Sequence, residues 1–224
     1  MHHLGIVAGI CKDIHLIENI DNRIPAPKRK VSIGQAVQSM ILNALGFSNR
    51  ALYLHPRFSK NKPMDILIGE GIEAEDLNDD CLGKSLDALY DYGVTELFYN
   101  LASYALGVFR IPVQFAHLDS TTFSLYGKYD SEDESDTEVV KITKGYSKDN
   151  HPDLNQVVVS MICAYRSSLP VWIESLSVNS SDKITFPQTI KQFKEQFSKK
   201  KLPCFVADSA LYTAEGIKQL EGIH

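Results

Sequence analysis

The sequence predicts an α/β chain in two parts: an all-helical N-terminal domain over residues 1–111, then a domain of strands with flanking helices over residues 112–224. Three observations predict this. Up to Pro112 the apolar residues recur at helical spacing. Beyond it they gather in short, β-branched runs bounded by turn residues. Those runs follow the order strand, strand, strand, helix, strand, helix, without internal repeats.

Leu4, Ile6, Val7, Ile10, Ile14 and Ile17 share helical spacing and predict one N-terminal helix. A turn follows at Asp21–Pro27. The basic cluster Lys28-Arg29-Lys30 comes next and reads as a solvated linker, with phosphate contact the lesser alternative. Ser32 suits the N-cap of a helix from Ile33 to Leu45, and Gly46 its C-cap. Asn49–Phe58 predicts a short helix broken by His55-Pro56. Leu86, Leu89 and Tyr90 begin another, which Gly93 punctuates. Over Val94–Val108, Leu97, Phe98, Leu101, Tyr104 and Ala105 line one helix face, and Arg110-Ile111-Pro112 ends it.

In the second part, Val113–Leu118 is a short apolar run that ends in Asp119. Gln156–Tyr165 contains Val157-Val158-Val159 and reads as a strand, as does Leu169–Leu176. Ser180-Ser181-Asp182 is a turn, and Phe186–Phe197 an amphipathic helix. Pro203–Ala207 predicts a buried strand ending in Asp208, and a further helix starts near Thr213. The acidic run Asp130–Glu138 predicts a solvated hairpin tip, since it lacks the spacing and the glycine of a calcium loop. Trp172, among apolar neighbours, belongs to the core.

Hydrophobic residues make up 44% and charged residues 23% of the 224, enough apolar material for a core without disulfides. The four cysteines are scattered and form no CxxC, which predicts reduced thiols in a cytoplasmic protein and excludes a structural zinc site. No signal peptide is visible, and the apolar stretch Leu4–Ile10 is too short to span a membrane. A net charge of −5 counts against a nucleic-acid partner.

Two carboxylates stand out by position. Asp119 and Asp208 each follow an apolar run and precede small or hydroxyl residues, Ser120-Thr121-Thr122 and Ser209-Ala210. Open α/β sheets carry their sites at such strand ends. Two carboxylates brought together repel unless a cation intervenes, and Mg²⁺ is the natural partner of hard oxygen ligands. An aspartate after a strand also serves as a turn former or helix N-cap, so pattern alone leaves both readings open.

Four segments carry a resemblance. They are HLDSTTFSLYG (His117–Gly127), KGYSKDNHPDLNQVVVSM (Lys144–Met161), VWIESLSVNSSDKITF (Val171–Phe186) and FVADSALYTAEGI (Phe205–Ile217). In this order they resemble DDE transposases of the IS4 superfamily, IS1634-like group; the second, similar to a K-G-x-S-K-D-x-R-P-D-L-x-Q pattern, is the most specific. The region before Pro112 resembles the helical domain that precedes the catalytic core of that group.

The resemblance implies a ribonuclease-H-like mixed sheet with flanking helices, incomplete here. It aligns Asp119 with the first and Asp208 with the second metal-binding aspartate, and implies two Mg²⁺ ions in the complete site. A glutamate in a Y-x2-R-x3-E-x6-K pattern completes the family's triad. That pattern does not occur in this sequence, so the chain is expected to be truncated and inactive alone. Glu215 lies too close to Asp208 to replace it. His151 stands where the family more often has arginine. Lys144, Lys148 and His151 lie in a polar loop that either approaches the DNA backbone or is solvated. His117 is read as packing or supporting rather than ligating. The implied chemistry is DNA strand cleavage and strand transfer on double-stranded DNA, with a homo-oligomer left open and no membrane partner. A non-catalytic DNA-binding or dimerising remnant that inhibits an intact copy is the alternative. A metal-dependent phosphatase fits less well, because Thr121 stands where such enzymes carry a second aspartate.

Overall fold

The computed structural model describes residues 2–46, 51–127, 129, 140–145, 153–177, 182–197, 203–207 and 218. The chain divides into two compact units, Met1–Phe109 and Arg110–His224.

The first unit contains α1 (His2–Asp13), α2 (Leu16–Asp21), α3 (Ile33–Ala44), α4 (His55–Ser59), α5 (Met64–Leu67), α6 (Asp79–Tyr92) and α7 (Val94–Val108). The single N-terminal helix expected from periodicity is two. His15 adopts left-handed backbone (φ 49°, ψ 46°) between α1 and α2, which interrupts the helical ladder and lets Leu16 and Ile20 turn inward. The buried stripe of α1 is Leu4, Ala8 and Cys11, while Ile6 and Ile10 remain exposed.

Ser32 caps α3 as expected, in a full capping box with Gln35. Leu45, not Gly46, is its C-cap residue. Just inside the start of α3, the Gly34 N–H donates to Asp21 Oδ1 at 2.8 Å. A Cβ on Gly34 would stand 2.6 Å from the Ile17 carbonyl oxygen, so glycine is what lets α2 and α3 touch. His55-Pro56 begins α4 rather than breaking a helix, because proline in a first turn gives up no intrahelical bond. Before it lies a 3-10 turn, Leu52–Leu54. α6 starts well before Leu86, at Asp79, with Asn78 accepting from the Cys81 N–H at 2.9 Å. Two buried clusters hold the unit together, one around Leu42, Phe58, Leu77 and Leu82, the other around Ile20, Ile33 and Leu97.

The second unit contains β1 (Phe115–Leu125), β2 (Thr143–Lys144), β3 (Asn155–Ala164), β4 (Pro170–Leu176), α8 (Asp182–Gln196) and β5 (Cys204–Val206). They form a mixed five-stranded sheet. β3 runs antiparallel to β1, β2 and β4, and β5 runs parallel to β1 on its other side. β1 does not stop at Asp119. Thr121–Leu125 stay in register with Val159–Asn155 and carry the strand on. β5 is less buried than its apolar sequence predicts: Cys204 and Val206 are exposed.

One sheet face is apolar and covered. Ala116, Leu118, Ile162 and Trp172 are buried there, and Phe193 of α8 meets Trp172 edge-on at 6.0 Å. All four cysteines are free thiols. Among the described residues no helix is long and apolar enough to cross a membrane. The acidic run 130–138 lies outside the described residues, as do the turn residues 180 and 181. The helix expected near Thr213 does too, apart from Lys218, which is helical.

Candidate active site

Strand alternation sorts the residues of β1 onto two faces. Ala116, Leu118 and Ser120 are buried against the covered side, whereas Phe115, His117, Asp119, Thr121 and Phe123 are exposed on the other. Asp119 is thus the fifth residue of an eleven-residue strand. The pattern of an apolar run followed by polar residues reads as a strand end, but β-branched Thr121 and Thr122 are good strand formers and pair with the valine-rich β3.

Register fixes what surrounds the carboxylate. Asp119 lies opposite Met161, His117 opposite Cys163, and Thr121 opposite Val159; Met161 in turn lies opposite Ile173 of β4. The open face therefore presents an aspartate, a histidine and a thiol among apolar side chains. Asp119 Oδ1 accepts from the Ser120 N–H at 2.8 Å. The Cys163 thiol is pushed above its ordinary pKa, first by burial and then by the negative charge of Asp119, so it stays protonated at neutral pH. His117 stacks on Tyr165, with ring centroids 5.4 Å apart and planes 24° apart. That fits the packing role expected for it.

On the other side of β1, the last row of parallel pairing joins His117 to Val206. Asp208 follows Val206 by two positions in sequence, as Asp119 follows His117; Asp208 itself lies outside the described residues. Lys144 is not in a loop but in the short strand β2, exposed and opposite Asn155. Next to it, Gln156 Nε2 donates to the Gly145 carbonyl at 3.2 Å. Lys148 and His151 lie outside the described residues. Among the described residues no three His, Cys, Asp or Glu side chains converge as a metal-binding group.

The basic cluster before α3 has a structural use that sequence reading missed. The Arg29 guanidinium donates to the Cys81 carbonyl and to Ser85 Oγ, each at 2.8 Å. Lys30 pairs with Asp76 at 2.6 Å. Both therefore hold the first unit together. Nothing local in the sequence signals this, because the partners lie about 50 residues downstream.

Residues 1–103 match a family described as a domain of unknown function (DUF4277). No curated protein matches the chain, and no solved structure does. The matched segment lies within the helical unit and leaves the sheet that carries Asp119 unmatched.

Proposed function

We propose that the chain carries the first two metal-binding carboxylates, Asp119 and Asp208, of a DDE-type transposase of the IS4 superfamily, IS1634-like group. The reaction in this reading is metal-dependent cleavage and joining of strands of double-stranded DNA. The observation that carries it is the position of Asp119, exposed on the open face of a mixed sheet at its central strand. Its parallel neighbour leads, after an equal two-residue offset, into Asp208. The strand order supports the same reading. Three antiparallel strands, β1, β3 and β4, are followed by a helix and by a strand parallel to β1, an order that suits a ribonuclease-H-like core.

The residues fit a hard cation in kind. Asp119 offers carboxylate oxygen, with one oxygen held by the Ser120 N–H and oriented by it. The Cys163 thiol nearby is a soft ligand, poorly matched to magnesium. Asp119 and Asp208 would hold Mg²⁺, which when bound supplies Lewis-acid activation of an oxygen nucleophile at a phosphodiester. The chain's own share is to place the carboxylates, with Lys144, Lys148 and His151 available to DNA phosphates. The Y-x2-R-x3-E-x6-K pattern that carries the third carboxylate of that group does not occur in the sequence. This favours, as a second reading, a chain that binds DNA or an intact copy without cutting.

Titration of the full chain with Mn²⁺, followed by calorimetry and by electron paramagnetic resonance, tests the assignment. Asp119→Asn and Asp208→Asn should each abolish the binding seen in the parent chain while leaving its melting curve in place. Unchanged Mn²⁺ binding in both variants would overturn it. Nicking of supercoiled DNA in the same samples separates the two readings.

A further inference from the structure

Behind the start of β1 is a cavity of about 400 Å³ lined by Arg110, Gln114, Phe115, Tyr165, Arg166 and Ser167, among others. All of these belong to the second unit. Its composition is unlike that of a solvated turn. Two aromatic rings, Phe115 and Tyr165, meet edge-on at 5.8 Å yet remain 41% and 48% exposed. The Arg166 guanidinium lies over the Tyr165 ring at 5.9 Å. Among the described residues neither Arg110 nor Arg166 is in an ion pair. Of the lining residues, Arg110 (φ 52°) and Arg166 (φ 69°) hold left-handed backbone without being glycine, a strained arrangement that clusters at ligand clamps.

We propose that this cavity binds an unpaired nucleotide of single-stranded nucleic acid. His117 already stacks on Tyr165, so the base takes the ring surface that Tyr165 and Phe115 leave exposed, and Arg110 and Arg166 hold the flanking phosphates. Stacking on an aromatic face is available to any unpaired base but not to one inside a duplex. Guanidinium groups pair with phosphate through forked hydrogen bonds and also stack on rings. The volume falls within the range of small-ligand sites, roughly 300–1,000 Å³. Neither segment that lines the cavity, Arg110–Phe115 or Tyr165–Ser167, contains an acidic residue, so the lining itself carries no negative charge. The cavity adjoins the face that carries Asp119: Phe115, His117 and Asp119 lie on one side of β1, and Tyr165 stacks on His117. It does not depend on the metal chemistry proposed above.

The test is fluorescence anisotropy with the full chain, a labelled oligothymidylate of about 12 nucleotides and a duplex of equal length, at low salt and without divalent metal. The parent chain should prefer the single strand by about tenfold or more. Arg110→Gln with Arg166→Gln should weaken binding by about tenfold and reduce the slope of log affinity against log salt by about 1.4, about 0.7 for each phosphate no longer neutralised. Tyr165→Leu should weaken binding at least about fivefold, and Tyr165→Phe should not. Thermal melting of each variant separates lost binding from lost folding. The proposal is overturned if the parent chain does not bind the single strand, if it binds the duplex equally well, or if the arginine pair binds as the parent does. Because metal is omitted, failure here leaves the assignment of Asp119 and Asp208 untouched.

Discussion

Thr189 Oγ1 donates to Glu174 Oε2 at 3.0 Å, tying the middle of α8 to β4. Glu174 is partly buried, and burial raises its pKa. The hydrogen bonds from Thr189 and from the Trp172 side chain oppose that shift without cancelling it. A carboxyl with a higher pKa in the folded state favours folding most when protonated. That contribution is full below the unfolded carboxylate pKa and is lost as pH rises through the folded value. Glu174→Gln keeps an acceptor oxygen for Thr189 and cannot ionise. Its melting temperature should therefore gain on the parent's as pH rises from about 4 to 7. Parallel melting-temperature curves across that range would reject the prediction.

His55 shows the opposite sign. It is completely buried, its Nε2 lies 2.5 Å from Ser39 Oγ, and its pKa is lowered to about 4 by burial, helped by the charge of Lys62. A depressed imidazole pKa adds stability that is full above the unfolded value near 6.5 and is lost as pH falls toward 4. The shift corresponds to about 3 kcal/mol. Urea unfolding of the parent chain should show a loss of that order between pH 7 and 4. In His55→Gln most of this pH dependence should be absent.

Legibility in the sequence followed the range of the interactions. Ser32 as the cap of α3 is a local pattern and could be read directly. The buried face of α7 was placed only in part: Leu97 and Ala105 are buried as expected, but Tyr99, Ala102 and Leu106 are buried too and Tyr104 is exposed. The break at His15 could not, since a left-handed histidine depends on the inward pull of Leu16 and Ile20 rather than on a breaker residue. The length of β1 was misjudged for a similar reason. Ser120–Leu125 is polar enough to read as a turn until Val157–Val159 of β3 are paired with it. For the candidate site, sequence picked out Asp119 but not the thiol of Cys163 on the same open face. The pairing of His117 with Cys163 joins segments 46 positions apart, and only the antiparallel register reveals it.

Phe193 is the centre of the packing between α8 and the sheet. It is fully buried and meets Trp172 at 6.0 Å, Phe197 at 5.1 Å and Phe205 at 5.8 Å. Phe193→Ala should cost about 3–5 kcal/mol, because three aromatic partners cannot collapse together into the space it leaves. Near-ultraviolet circular dichroism should lose the Trp172 signal under conditions where the parent retains it. A loss of under about 1 kcal/mol would show that α8 does not depend on this ring.

Two glycines in the helical unit should respond in opposite directions to the same substitution. On α1, a Cβ at Gly9 meets nothing within 4 Å, so Gly9→Ala gains only helix propensity and should stabilise by about 0.5–1 kcal/mol. On α3, a Cβ at Gly34 would press on the Ile17 backbone at 2.6 Å. Backbone cannot rotate away as a side-chain tip can. Gly34→Ala should therefore push α2 off α3, strain the Asp21 hydrogen bond and cost about 1–3 kcal/mol. Chemical denaturation of both variants under one condition decides the matter. If Gly34→Ala is as stable as the parent, the close approach of α2 to α3 is not what requires glycine there.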